Sequence, residues 1–119
     1  MTVQSFRDLV VWQRSIQLAT AAYRMTGNFP REEIYGLKSQ IRRSAVSVSS
    51  NIAEGQGRLS SGEFRQFLGV ARGSNCELQT QIEIARALKF GETGLLNEVE
   101  SLSFEVGKMI NAILGKIKH

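Results

Sequence analysis

Apolar residues recur at every third or fourth position through four long stretches of this chain, and short glycine-containing breaks separate the stretches. This spacing places the apolar side chains on one side of an α-helix, and no stretch alternates as a half-buried β-strand does. The 119 residues, 42% of them hydrophobic, suit one folded domain, and the single proline leaves room for long helices. The sequence therefore predicts an all-α protein, an antiparallel up-down-up-down four-helix bundle that forms one domain over residues 1–119.

The breaks and the cap signals set the expected helix bounds, which are about 8–26, 31–54, 61–89 and 94–117. Asp8 suits the start of the first helix, and Ser60 with Glu63 forms a capping box at the start of the third. Gly55 and Gly57 are expected to end the second helix by adopting positive φ. The apolar stripe expected for the first helix consists of Leu9, Trp12, Ile16, Ala19 and Tyr23, flanked by Ser15, Leu18 and Ala22.

A segment of small and polar residues near the end of the second helix is the predicted structural centre of the chain. Asn51 and Glu54 lie there, followed by Gly55, Gly57 and Arg58. Asn51 and Glu54 either bond to neighbouring backbone groups and to Arg58 or contact a ligand, and the local role is favoured.

The third helix contains a second group of small and polar residues, Gly73, Ser74 and Glu77. Because a glycine inside a helix costs roughly 1 kcal/mol against alanine, Gly73 predicts a close approach by another helix. The third and fourth helices also carry more apolar residues than one stripe needs. This surplus predicts a homo-oligomer, and the alternative is a wide apolar face inside one bundle.

Positive charge is concentrated in the first half of the chain, although the net charge of the whole is only +4. Up to Ser60 there are eight basic and four acidic residues, whereas the remainder contains seven of each. No acidic residue occurs between Ile34 and Ala53. This pattern predicts binding of an RNA or DNA backbone, and the alternative is a solvated helix face. The predicted phosphate contacts are Lys38, Arg42, Arg43, Arg58, Arg65 and Arg72.

Sequence-specific reading of bases is not expected. Specific single-strand binding usually uses exposed aromatic rings. Here Trp12, Tyr23, Phe64 and Phe67 fall on or beside apolar stripes and are assigned to the core. The third helix also carries a polar ridge with a spacing of seven residues, made of Arg65, Arg72, Gln79 and Arg86.

Metal, cofactor and nucleophilic chemistry find little support in the residues. The only histidine is His119 and the only cysteine is Cys76, which rules out the usual zinc and ferritin-like ligand sets. Cys76 is expected to pack as a small apolar side chain. The protein is therefore predicted to be no enzyme and to need no cofactor, and the remaining enzymatic alternative is a hydrolase that uses Glu54 and Glu77.

The cellular setting follows from what the sequence lacks. The first seven residues contain no apolar signal-peptide core, and no run of about 18 apolar residues predicts a membrane span. One cysteine permits no internal disulfide, which suits a reducing compartment. The expectation is a cytoplasmic protein without a membrane partner.

Several motifs spread over the chain resemble those of a known family. They are Phe6-Arg7-Asp8-Leu9-x-Val11-Trp12-Gln13, Phe29-Pro30-x-Glu32-x-x-Tyr35-Gly36-Leu37-x-x-Gln40-Ile41-Arg42-Arg43-Ser44-Ala45-x-Ser47, Asn51-Ile52-Ala53-Glu54-Gly55-x-Gly57-Arg58 and Ala71-x-Gly73-Ser74-x-x-Glu77-Leu78. The chain resembles the four-helix-bundle proteins first noticed as products of intervening sequences in bacterial 23S rRNA genes. One departure is Ser49, where the family often has proline, and it predicts a milder bend there.

The resemblance implies a homopentamer whose bundles pack around a central axis. It also points to a similar bundle, the accessory protein of diversity-generating retroelements, which is a basic pentameric barrel that works with a reverse transcriptase and nucleic acid. The leading hypothesis is a non-enzymatic oligomeric bundle that binds RNA or DNA backbone through helices two and three. The alternative is a protein-interaction scaffold that docks a partner enzyme such as a reverse transcriptase.

Overall fold

The computed structural model describes residues 5–117, and these form four long α-helices. They are α1 (Val10–Thr26), α2 (Leu37–Gln56), α3 (Ser61–Leu88) and α4 (Thr93–Lys116). Two short 3-10 helices, Phe6–Asp8 and Arg31–Glu33, precede α1 and α2. The predicted all-α four-helix fold is confirmed.

Each helix contacts the next along the chain, and α4 returns to α1, so the four helices form a closed square. Side-chain pairs show that neighbours run in opposite directions. Arg42 near the start of α2 reaches Thr26 at the end of α1, and Arg65 near the start of α3 reaches Leu114 near the end of α4. The result is an elongated antiparallel bundle that measures 44 × 22 × 21 Å.

The core is a column of aliphatic side chains to which every helix contributes. Completely buried members include Leu18 and Met25 of α1, Ile41, Val48 and Ile52 of α2, Leu68, Leu78 and Ile82 of α3, and Val99, Val106 and Ile110 of α4. Burial of one such side chain stabilises the fold by about 1.5–3 kcal/mol, so this column supplies most of the favourable free energy of folding.

The buried face of α1 differs from the predicted stripe. Ile16 and Tyr23 are 36% and 46% exposed, whereas the core side is formed by Val11, Ser15, Leu18, Ala21, Ala22, Met25 and Thr26. Two polar residues are tolerated there because they bond to carbonyls of their own helix. The Ser15 hydroxyl donates to the Trp12 carbonyl at 2.6 Å, and the Thr26 hydroxyl donates to the Ala22 carbonyl at 2.8 Å.

Two helices begin later than the sequence predicts. Asp8 belongs to the first 3-10 helix, where its carboxylate accepts the Ser5 N–H at 3.2 Å, and α1 begins at Val10. α2 begins at Leu37 and not near residue 31, because Gly36 adopts a non-helical conformation with φ −109° and ψ −123°. The Glu33 carboxylate then caps α2 by accepting the Leu37 N–H at 2.9 Å.

Gly55 and Gly57, at the end of α2, act differently from the prediction. Within residues 5–117 positive φ occurs only at Lys89 and Gly91, so neither Gly55 nor Gly57 leaves the right-handed region. A Cβ added to Gly55 would lie 2.7 Å from the Phe67 Cβ, so this glycine lets α2 and α3 approach closely. α2 also continues as one helix through Ser49, whose hydroxyl donates to the Val46 carbonyl at 3.0 Å.

The predicted close approach at Gly73 is absent within the chain. No atom of the described residues outside α3 lies within 4 Å of a Cβ added there, and the residue is exposed. Its neighbour Ser74 is buried and makes the contact instead, because its hydroxyl lies 2.8 Å from the Ser47 hydroxyl of α2.

Candidate nucleic-acid interface

Arg42 lies where the end of α1 meets the start of α2. Its Nε donates to the Thr26 hydroxyl at 2.8 Å, and its Nη2 donates to the Tyr23 carbonyl at 3.2 Å. The guanidinium carbon also lies 4.3 Å from the centre of the Tyr23 ring. All these partners are neutral, so Arg42 joins the two helices and keeps its full positive charge.

Two further cations share this location. Lys38 and Arg43 line an open depression of about 440 Å³ together with Arg42, and the other lining residues are Tyr23, Ile34, Ser39 and Val46. We refer to the space bounded by these seven residues as the α1–α2 depression. Within the described chain no carboxylate oxygen lies within 4.0 Å of a side-chain nitrogen of these three cations.

The arrangement of these charges favours an anion. Lys38 and Arg42 are four residues apart on α2, and like charges at this spacing repel by a few tenths of a kcal/mol. Arg43 is exposed beside them. Because no carboxylate in residues 5–117 pairs with the three charges, we expect the depression to attract anionic groups from solution.

The depression also exposes apolar side chains, one of which the sequence predicts to be in the core. Tyr23 was assigned to the core, but nearly half of it is accessible, and Ile34 and Val46 are similarly exposed. Tyr35, in the turn before α2, is 93% exposed. The sequence could have indicated this exposure, because Tyr35 lies beside Gly36 in a break between helices, where an aromatic ring has little to pack against.

Arg58 has a different environment from the three cations of the depression. Its Nη2 lies 2.9 Å from the Glu54 carboxylate and its Nη1 lies 4.0 Å from that of Glu63. Its guanidinium also covers the Phe67 ring, with 4.7 Å between the guanidinium carbon and the ring centre. The charge of Arg58 is therefore balanced within the chain, and the residue ties the end of α2 to the start of α3.

The other residues of this corner make local bonds. The Asn51 amide nitrogen donates to the Ser47 carbonyl at 2.8 Å and to the Ser47 hydroxyl at 3.0 Å. The same hydroxyl lies 2.8 Å from that of Ser74, so the chain of bonds crosses from α2 to α3. Gly57, the residue after α2, has φ −77° and donates its N–H to the Ala53 carbonyl.

Arg65 and Arg72 belong to another side of the bundle. Arg65 donates to the Leu114 carbonyl at 2.8 Å and so satisfies a backbone group near the end of α4. Arg72 is exposed in a shallow groove between α3 and α4, beside Lys108. The six cations that the sequence singled out therefore do not form one surface, and only Lys38, Arg42 and Arg43 lie together.

The paired carboxylates proposed for hydrolysis are not brought together. Glu54 adjoins Gly55, which packs against Phe67, whereas Glu77 lies ten residues beyond Phe67 on α3. At 1.5 Å per residue this separates the two along the bundle by roughly 15 Å. Glu77 lines a groove with Gln40 that does not include Glu54, so the described part of the chain gives the hydrolase alternative no support.

Other chemistry-bearing residues also differ from expectation or lie outside the described part. Cys76 is an exposed free thiol, so the prediction that it packs in the interior is wrong. No group of three or more potential metal ligands occurs within residues 5–117, and His119 lies beyond them. None of the helices in that range has the length and apolar character needed to cross a membrane.

A buried polar cluster in the middle of the bundle went unnoticed in the sequence. The Asn75 amide nitrogen donates to the Ser103 carbonyl at 2.9 Å, and the Ser103 hydroxyl donates back to the Asn75 oxygen at 2.6 Å. Gln79 adds a bond to the same hydroxyl at 2.9 Å. Because the Asn75 amide is excluded from solvent, it needs these hydrogen-bond partners within the chain.

The fold and the surface define a class of protein, an antiparallel four-helix bundle whose α1–α2 edge carries cations without carboxylate partners. A family model described as "23S rRNA-intervening sequence protein" matches residues 7–112. The chain therefore belongs to that family, as the motif resemblance predicted.

A solved structure shares the fold. It is the crystal structure of a protein with unknown function from the S23 ribosomal protein family of Bacteroides thetaiotaomicron VPI-5482. The superposition has a TM-score of 0.79 and covers 88% of this chain and 98% of that chain, at 22% sequence identity. At this identity the likeness shows a common fold. A search among curated proteins gave no significant match.

Proposed function

We propose that this protein is a non-enzymatic, oligomeric four-helix bundle that binds the backbone of RNA or DNA. The observation that carries the proposal is the α1–α2 depression, where Lys38, Arg42 and Arg43 line an open surface without a carboxylate. Phosphate contacts by Lys and Arg supply most of the affinity of non-specific nucleic-acid binding. The proposed contact surface thus moves from helices two and three to the edge between α1 and α2.

A polymer suits this surface better than a small anion does. The three cations follow successive positions along the outer side of α2, and the space they line is open to solvent. A site for a small ion normally encloses its ligand with convergent donors. A row of cations in an open depression instead follows a chain of phosphates.

The test reverses two charges and leaves the third intact. Arg42 is kept because its bonds to α1 would confound binding with stability. In the double variant Lys38→Glu, Arg43→Glu we expect at least about tenfold weaker binding of nucleic acid at low salt. The slope of log affinity against log salt should fall by roughly 1.4–1.8, because two phosphate contacts are lost. Fluorescence anisotropy over a salt series measures both.

A matched control separates a local contact from the loss of net charge. Lys108 and Lys116 are exposed on α4, away from the depression. The variant Lys108→Glu, Lys116→Glu has the same net charge as the test variant and should keep most of the wild-type affinity and slope. Equal binding by the two double variants would contradict the proposed surface.

Exposed apolar residues on α3 support the oligomeric part of the proposal. Val70, Ile84 and Leu88 are about half exposed. Their spacings are close to whole helical turns, so they form one row along the helix. Coverage by sister copies would remove this row from water, and the family resemblance suggests five copies. A partner enzyme docked on the same row is the competing explanation, and the mass of the native assembly distinguishes the two.

A further inference from the structure

We propose that the α1–α2 depression selects single-stranded nucleic acid over duplex, because a base can stack on the Tyr23–Arg42 pair while Lys38 and Arg43 hold the adjacent phosphates. This inference rests on the proposed function and specifies the ligand of the same surface. Tyr35 is exposed and follows the lining residue Ile34 in the sequence, and we assign it as a second stacking ring.

The first argument is the chemistry of the lining. Tyr23, Ile34 and Val46 present apolar surface between the cations. A duplex hides the faces of its bases and offers phosphate and sugar, which gain little from such surface. An unpaired base has two apolar faces that stack on aromatic rings and on guanidinium planes. Only a single strand can use both the apolar and the cationic groups.

The second argument is that the planar groups are already ordered. The Arg42 guanidinium is held by the Thr26 hydroxyl and the Tyr23 carbonyl, and it lies against the Tyr23 ring. A base that extends this stack does not have to immobilise a flexible arginine, so less conformational entropy is lost on binding. The depression, at about 440 Å³, is also within the size range of sites that hold small organic groups.

The third argument concerns the competing occupant, a second copy of this chain. Two copies that meet through the same depression would place Lys38, Arg42 and Arg43 against their own counterparts, which costs repulsion. Docking onto the acidic residues of α4 of another copy meets carboxylates that are already paired. On α4, Glu98 lies 3.5 Å from Arg24 and Glu105 lies 2.7 Å from Arg14. Charge complementarity therefore favours a polyanion.

The experiment compares binding of one oligonucleotide sequence as a single strand and as a duplex. A labelled oligonucleotide of about 20 residues, longer than the usual single-strand site, is titrated alone and annealed to its complement, as DNA and as RNA. We expect the wild-type protein to bind the single strand at least about tenfold more tightly than the duplex. Loss of one stacked base weakens single-strand binding about 5- to 150-fold. Tyr23→Leu and Tyr35→Ala should each show this loss and leave duplex affinity within about twofold.

Control variants separate stacking from folding. Tyr23→Phe keeps the ring and should bind within about twofold of wild type. Phe104→Ala removes another half-exposed ring, on α4, and should also leave binding unchanged. Because Tyr35 is 93% exposed, Tyr35→Ala tests stacking without disturbing the core.

The outcomes assign failure to one proposal or the other. Duplex binding as tight as single-strand binding, and still dependent on Lys38 and Arg43, would overturn the selectivity and keep the proposed function. Wild-type affinity in both tyrosine variants, or a loss confined to Tyr35→Ala, would also overturn the base-stacking assignment. A changed native mass without changed affinity would identify the depression as a contact between copies. Failure to bind either form would overturn both proposals.

Discussion

At the scale of single residues, Gly55 allows close packing of two helices, whereas the sequence suggested that it ends a helix. A glycine between a helix and a turn is typical of a left-handed cap, but Gly55 is helical and buried against Phe64 and Phe67. The sequence could mark the position as special because glycine is costly in a helix. It could not distinguish backbone freedom from close packing, because that depends on where α3 passes.

Replacing Gly55 by alanine should destabilise the protein. The new Cβ would lie 2.7 Å from the Phe67 Cβ and 3.3 Å from the Phe64 carbonyl oxygen, so α2 and α3 would have to move apart. We expect a net loss of about 1–2 kcal/mol in the free energy of unfolding, since overpacking outweighs the gain in helix propensity. Urea denaturation followed by circular dichroism measures the change.

Gly73→Ala provides the matched control, since no atom of the described residues outside α3 lies within 4 Å of the new Cβ. The same substitution there should stabilise the helix by about 0.5–1 kcal/mol. Equal effects at the two glycines would contradict the packing explanation for Gly55. A loss of stability at Gly73 would reveal close approach by another copy of the chain.

At the scale of helices, α3 and α4 are joined by polar residues at three levels. Arg65 reaches the Leu114 carbonyl at one end, Asn75 and Gln79 meet Ser103 in the middle, and Arg86 meets Glu100 at the other end. The hydrogen bonds that Arg86 donates to the Glu100 carboxylate are the largest cause that raises the pKa of Arg86 above its ordinary value. Arg86 therefore stays protonated across the physiological range, and its own titration gives no pH dependence there.

The sequence showed the heptad spacing of this polar ridge but not the neighbouring helix that it faces. Three of its four members, Arg65, Gln79 and Arg86, bond to residues of α4. The fourth, Arg72, is exposed and has no hydrogen-bond or ion-pair partner among the described residues. Spacing identifies residues on one side of a helix. It does not identify the side, because the position of α4 follows from packing of the whole bundle.

Ser103→Ala should destabilise the protein by about 1–3 kcal/mol, because it leaves the buried Asn75 oxygen and the Gln79 amide without the hydroxyl they share. Thermal unfolding monitored by circular dichroism gives the loss. Thr80→Ala is the control, since the exposed Thr80 hydroxyl bonds only to the Cys76 carbonyl of its own helix. We expect less than about 0.5 kcal/mol there, and a similar loss at both sites would contradict the role given to the buried cluster.

At the scale of the whole molecule, the fold was more predictable than its outward surfaces. The four apolar stripes and their breaks are enough to define an antiparallel bundle, because short connections join helices of opposite direction. The stripes alone could not decide whether Tyr23 or Met25 faces the core, since both positions fit a helical period on α1. The rotation of α1 about its own axis decides whether the Tyr23 ring lies beside the cations. The candidate site could therefore be recognised only in the three-dimensional structure.

The apolar row on α3 leads to a prediction about assembly. If sister copies cover Val70, Ile84 and Leu88, then Val70→Asp, Ile84→Asp should reduce the native mass to that of one chain and preserve helicity. Buried carboxylates without partners would be strongly unfavourable in such an interface. Analytical ultracentrifugation measures the mass. Val10→Asp, at an exposed position on α1, is the control, and an unchanged mass in the double variant would exclude this row as the contact.

The depression lies on the edge between α1 and α2, whereas the apolar row lies on α3. An assembly that buries the apolar row on α3 would leave the α1–α2 depression of every copy open to solvent. Nucleic acids too short to reach two depressions would then dissociate quickly. Longer ones would gain avidity, because each further depression binds within the same complex. The affinity of such an assembly would therefore depend on the length of the nucleic acid more than on its sequence.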